Sequence, residues 1–144
     1  MKKQLFFGHF LTLSFGVFIY LFFREPTLKI FTWLELIGIN FRDFQMRKLT
    51  YELGKQLPKW LLYSLPDGIW IFSYVTLILA IWKNQISREN IFWIIVIPLV
   101  AVISEFGQIG KIIPGTFDIT DVILYVLGFL LPIYIFTEEI KLKQ

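Results

Sequence analysis

Apolar residues run together in long blocks along this chain, and polar residues gather between the blocks. A helix that spans a bilayer needs about 20 mostly apolar residues, because the hydrocarbon core is about 30 Å thick and each residue rises 1.5 Å. Four blocks meet or approach that length. The first, Leu5 to Phe23, carries no Asp, Glu, Lys or Arg and follows Lys2 and Lys3. It ends in Phe22-Phe23-Arg24-Glu25-Pro26 without the small-residue cleavage site of a signal peptide, so a retained helix is expected. The second, Leu65 to Trp82, opens on Ser64-Leu65-Pro66-Asp67-Gly68, where Ser64 is a candidate cap and Pro66 suits a first turn. The third, Ile91 to Gln108, has Pro98 at its middle, where a kink is expected. The fourth, Ile119 to Phe136, precedes a charged tail from Glu138 to Lys143.

The stretch from about residue 28 to 57 differs. Its longest apolar run, Leu28 to Ile39, is 12 residues and contains Glu35, too short to span. Arg42, Arg47, Lys48 and Lys55 lie there among Phe41, Phe44 and Leu49. That mixture predicts an interfacial or re-entrant segment. A strand-based barrel is not expected, because apolar and polar residues do not alternate. The predicted fold is an all-α integral membrane protein: one domain over residues 1–144, a bundle of four transmembrane helices with the interfacial or re-entrant segment between the first and second.

Composition agrees. Hydrophobic residues make up 56% and charged residues 17% of 144, against roughly 45–50% and about 25% in soluble domains. Cysteine is absent, which excludes disulfides, thiolate metal sites and thiol nucleophiles. The net charge of +3 points to anionic lipid surfaces, and no nucleic-acid partner is expected. Orientation is weakly marked. Six Lys/Arg lie on the side of the termini and the 83–90 turn, against eight on the other side. Lys2 and Lys3, flanking the first helix, favour cytoplasmic termini and a multi-pass protein of the bacterial cytoplasmic membrane.

Four crossings bring five polar residues to one membrane face in either orientation. Asp67 begins the second helix, Glu105 and Gln108 end the third, and Asp118 and Asp121 begin the fourth. Carboxylates near hydrocarbon are costly and normally face a bundle interior or a wet cavity. Asp118, Asp121 and Asp67 also suit helix N-termini as caps or dipole partners. Glu105 ends a helix, where the dipole disfavours an anion, so it is the residue most expected to serve function. Gln108 beside it suits an interhelical hydrogen bond. Ala101, Ser104 and Gly107 are small enough to admit a neighbouring helix. Tyr74 shares a helical face with Asp67 and Ile71, so it is expected to point into the same cavity.

Oxygen ligands in this number could hold Mg²⁺ or Ca²⁺, bind a cationic headgroup, or move protons. Lys111 could neutralise part of the charge or anchor in headgroups. His9 is the only histidine and is expected at the opposite face, roughly 20–30 Å away, in a packing or anchoring role. No P-loop, G-x-G-x-x-G or H-E-x-x-H motif occurs.

Ser104-Glu105-Phe106-Gly107-Gln108, then Asp121-Val122 and Gly128, resembles the VanZ-like membrane family. Glu105, Gln108, Asp121, Val122 and Gly128 match that family's pattern; Thr116 stands where the family usually has Arg, and Tyr125 where it usually has Asn. The resemblance covers about residues 60–131. It implies a small bacterial cell-envelope protein, with named members linked to resistance to antibiotics such as teicoplanin, and brings no established reaction. The leading expectation is an acidic cavity, made by Glu105, Gln108, Asp118, Asp121, Asp67 and Tyr74, that binds a lipid or cell-wall precursor headgroup, with a divalent cation as an optional bridge. Two rivals remain: a non-catalytic helper bound to other membrane-protein subunits, and a small ion or proton transporter.

Overall fold

The computed structural model describes residues 1–141, with side chains described through Glu138. Seven helices and two three-residue strands follow in order. They are α1 (Gln4–Phe23), α2 (Lys29–Leu36), α3 (Gln45–Gly54), α4 (Lys59–Tyr63), α5 (Leu65–Ile81), β1 (Gln85–Ser87), α6 (Ile91–Ile109), α7 (Ile119–Phe136) and β2 (Glu139–Lys141). Three of them, α1, α6 and α7, are long and apolar enough to cross a membrane. Only 17% of each such span is buried inside the protein. The rest turns Phe, Leu, Ile and Val outward, a surface that suits lipid.

The central helix is α5, the shortest of the four apolar blocks at 17 residues. It packs against α7, α1 and α6 and supplies Ile71, Val75, Ile78 and Leu79 to a core completed by Ile94 and Tyr125. Its closest neighbour is α7, and glycine makes that approach. A Cβ on Gly128 would strike the Gly68 carbonyl oxygen, and one on Gly68 would lie 2.9 Å from the Leu124 carbonyl oxygen. Glycines also seat α1 on α5: a Cβ on Gly8 would lie 2.7 Å from Thr76 Cγ2, and one on Gly16 would lie 2.5 Å from Trp70 Nε1. Of the small residues expected to admit a helix beside α6, Ala101 packs on the core shared with α5 and α7. Gly107 instead receives Ile113 of the following loop, where a Cβ would meet Ile113 Cδ1 at 3.0 Å.

The first turns of α1, Gln4–Leu11, are π-helical. The i→i+5 repeat brings Gln4 and His9 to one face, which an α-helix would not do. Both side chains use this. Gln4 Nε2 donates to Asn84 Oδ1 at 2.7 Å. His9 Nδ1 lies 2.7 Å from Ser73 Oγ, which in turn donates to the His9 carbonyl at 3.1 Å. His9 therefore packs, as expected, but deeper than expected: it pairs at the level of Ser73, only about 9 Å along the α5 axis from Asp67 at 1.5 Å per residue.

The region after α1 is two helices, α2 and α3, with α3 docked on the end of α1. Arg47 is 2% exposed and makes the joint. Its Nε donates to Leu21 O at 3.2 Å, its Nη2 donates to Arg24 O at 2.7 Å, and its guanidinium stacks on Phe31 at 4.3 Å. Thr50 Oγ1 donates to Phe22 O at 2.8 Å. The last carbonyls of a helix have no partner of their own, and a cation suits that end of the dipole.

Pro98 lies inside α6, as placed from the sequence. Two local expectations change. Ser64 has αR backbone between α4 and α5 and makes no capping bond. The tail adds a strand: β2 pairs in parallel with β1, Ile86 opposite Ile140. Asn84 also accepts the Glu138 N–H at 3.1 Å, so the start of α1, the α5–α6 turn and the end of α7 share one end of the bundle. Lys143, counted for orientation, lies outside the described residues.

Gly128→Ala is expected to destabilise by about 1–3 kcal/mol through overpacking at the α5–α7 crossing. Apparent Tm in mild detergent checks this, with Val126→Ala on the outer face of α7 expected to change it little.

Candidate functional site

At the other end of the bundle, α1 stops at Phe23, α5 starts, α6 stops and α7 starts. Those ends enclose a polar cleft of about 400 Å³ lined by Arg24, Lys59, Tyr63, Ser64, Asp67, Thr116, Asp118 and Asp121. The crossing of α5 and α7 at Gly68 and Gly128 explains the juxtaposition. Asp67 precedes Gly68, and Asp121 lies on the α7 face that runs through Leu124 to Gly128. Asp67 sits in the fields of Arg24, Asp121 and Glu105.

The four predicted carboxylates therefore come together, but in unequal roles. Glu105 is 2% exposed and does not line the cleft. Its Oε1 accepts the Asp118 backbone N–H at 2.7 Å, and its Oε2 accepts from Gln108 Nε2 at 3.1 Å. An anion at a helix C-terminus is tolerated here because it ties the end of α6 to the start of α7. Gln108 bonds within its own helix, not across to another. It also presses on the loop, since a Cβ at Gly115 (φ +146°) would lie 2.5 Å from Gln108 Oε1. Glu105 thus holds Asp118, a lining residue, in place from behind, and Gln108 holds Glu105.

Asp118 is the cap of α7: its Oδ1 accepts the Thr120 N–H at 2.8 Å. That bond holds its carboxyl below the usual carboxylate range. Asp121, one turn on, makes no cap, and its Oδ1 is buried without a hydrogen-bond partner. Tyr74 is not in the cleft. Its hydroxyl donates to the Trp93 carbonyl of α6, and its ring packs on the core. Sharing a face with Asp67 did not suffice, because seven residues of helix carry Tyr74 about 10 Å away from that end. Lys111 stays on an exposed loop (φ +54°) outside the cleft.

Sequence reasoning passed over the cations. Arg24 and Lys59 line the cleft with Thr116. Arg24 stacks against Tyr63 at 4.4 Å and Tyr20 at 5.1 Å, and its Nε is buried without a partner. The sequence held part of the signal: a first helix that begins at one face ends at the other, the face of the carboxylates. Among the described residues no three His, Asp or Glu side chains gather as a metal cluster.

Comparison with family models, with curated protein sequences and with solved structures returns no match. The chemistry of the cleft carries the functional reading: both signs of charge, no thiol, and the one histidine engaged with Ser73.

Two outcomes follow. Glu105→Ala removes the side-chain acceptor of the Asp118 N–H, a part-buried bond, and should cost about 0.5–1.5 kcal/mol. Glu105→Gln retains an acceptor and should recover most of that in apparent Tm. The Asp118 cap, with its lowered carboxyl, strengthens α7 above the usual carboxylate range, and its contribution is lost as pH falls through the lowered native value. The Tm of Asp118→Asn, which caps without titrating, should show less acid sensitivity than that of the parent chain.

Proposed function

We propose that this chain is a VanZ-like protein of the bacterial cytoplasmic membrane whose cleft, on the outward face, binds the polar headgroup of a lipid or lipid-linked cell-wall precursor. In this reading α5 is a fourth crossing, α2 and α3 lie along the interface, and both termini are cytoplasmic. At 17 residues, α5 rises about 25 Å, short for the core but extended by α4 at its start. One observation carries the binding reading. Arg24, Lys59, Asp67 and Asp121 converge in one cleft where helix ends meet the edge of the apolar surface, a place where charge is stable only if solvated or bound.

The role that fits is capture and presentation of a headgroup. The tyrosine-stacked Arg24 and the neighbouring Lys59 offer donors to an anionic oxygen, and Asp67 and Asp121 offer acceptors to a cationic or hydroxyl group.

A proton-transport reading draws on the polar pairs inside the α1–α5 interface, His9 with Ser73 and Gln4 with Asn84. Between Asp67 and Ser73, however, α5 presents only Gly68, Ile69, Trp70, Ile71 and Phe72. That gap of about 9 Å favours headgroup binding.

A cysteine-free chain makes thiol labelling a clean test. In intact cells an impermeant reagent should label Thr116→Cys and spare Ser87→Cys. On purified protein, added total membrane phospholipid should slow labelling at Thr116→Cys, and adding Asp67→Asn with Asp121→Asn should abolish that protection. Labelling of Ser87→Cys alone would overturn the orientation, and absence of protection would overturn the headgroup reading.

A further inference from the structure

The cleft does not stand alone. An apolar groove of about 590 Å³ runs down the side of α1 between α2 and α5, lined by Val17, Tyr20, Leu21, Ile30, Trp33 and Trp70 among others. The two spaces share a wall. The Tyr20 ring lies in the groove, the Arg24 guanidinium of the cleft sits 5.1 Å from its centroid, and the Trp70 ring centroid lies 5.4 Å from it. A charged chamber thus meets an apolar trough at one aromatic side chain, the shape of an amphiphile site.

The charges in the chamber narrow the headgroup. Among the described residues the ion pairs are Arg42 with Glu35 and Lys55 with Glu52, both outside the cleft. Arg24 and Lys59 are therefore not paired with Asp67 or Asp121, although all four line the same space. Arg24 and Asp121 line the cleft with opposite charges, and each also holds a buried atom, Nε and Oδ1, that has no hydrogen-bond partner. A purely anionic headgroup would satisfy the first and repel the second. A purely cationic one would do the reverse. A headgroup with both signs answers both.

We propose that cleft and groove form one site for a phospholipid whose headgroup carries a phosphate and a primary ammonium. Phosphate oxygens accept from Arg24 and Lys59, the ammonium donates to Asp67 and Asp121, and an acyl chain lies in the groove past Tyr20. This rests on the headgroup reading and specifies its ligand.

The test uses the full chain in mild detergent, with binding read by native mass spectrometry and by the shift in apparent Tm. Three probes separate the parts: phosphatidylethanolamine, phosphatidylglycerol with the same acyl chains, and soluble O-phosphoethanolamine. The expected order is phosphatidylethanolamine first by at least about tenfold, a gap of about 1.4 kcal/mol. Asp121→Asn should erase the preference for the amine lipid, and Arg24→Gln should weaken both lipids. Val17→Trp, which fills the groove, should reduce lipid binding and leave the soluble headgroup unaffected. Lys59→Gln, on an exposed residue, replaces Arg24→Gln if that variant does not fold. Equal binding of the two lipids would overturn the ammonium assignment while leaving the headgroup reading intact. Equal binding of lipid and soluble headgroup would overturn the groove. Binding of none of the three would overturn the site and the headgroup reading together.

Discussion

The structure depends on how closely α5 and α7 approach. Gly68 and Gly128 put backbone against backbone, with no room for a Cβ on either side. Helices in lipid gain no hydrophobic driving force from meeting each other, so tight van der Waals contact of this kind must hold them. The same contact sets the chemistry. Asp67 adjoins one glycine, and Asp121 lies two turns of α7 from the other, so the helix pair cannot close without bringing the carboxylates into one cleft. Gly8 and Gly16 extend the principle to α1, whose end then delivers Arg24 to the same place.

Around that pair the polar groups divide between holding the fold and facing the cleft. Glu105 ties α6 to α7, Asp118 caps α7, and Arg47 and Thr50 complete the carbonyls at the end of α1. In each case a charged or polar side chain satisfies backbone groups at a helix end, where hydrocarbon offers nothing in exchange. Asp67, Asp121, Arg24 and Lys59 have no such duty. A buried group that neither pairs nor caps raises the free energy of the empty protein, and a ligand with matching charges lowers it again. That difference separates the candidate binding residues from the structural ones, and residue type alone could not have drawn it.

Much was legible from the chain itself, and for a physical reason. Hydrocarbon imposes one requirement, a run of apolar residues of fixed length, and that requirement is local. The α1, α6 and α7 blocks, the break at residues 83–90 and the placing of Asp67, Glu105, Gln108, Asp118 and Asp121 near one end all follow from counting along the sequence. The capping role of Asp118 was legible too, because a cap is a contact over two residues.

Tertiary structure decided the rest, because it turns on contacts between residues distant in sequence. Burial of Glu105 behind a backbone N–H, the turning of Tyr74 to Trp93, the capture of α1 by Arg47 and the entry of Arg24 into the cleft are set by which helix lies beside which. Periodicity assigns a residue to a face of its own helix and is silent on the neighbour. The chain alone determined where apolar segments begin and end and which face gathers the acids. Only packing, through four glycines that carry no side-chain signal of their own, determined that those acids share their cleft with two cations.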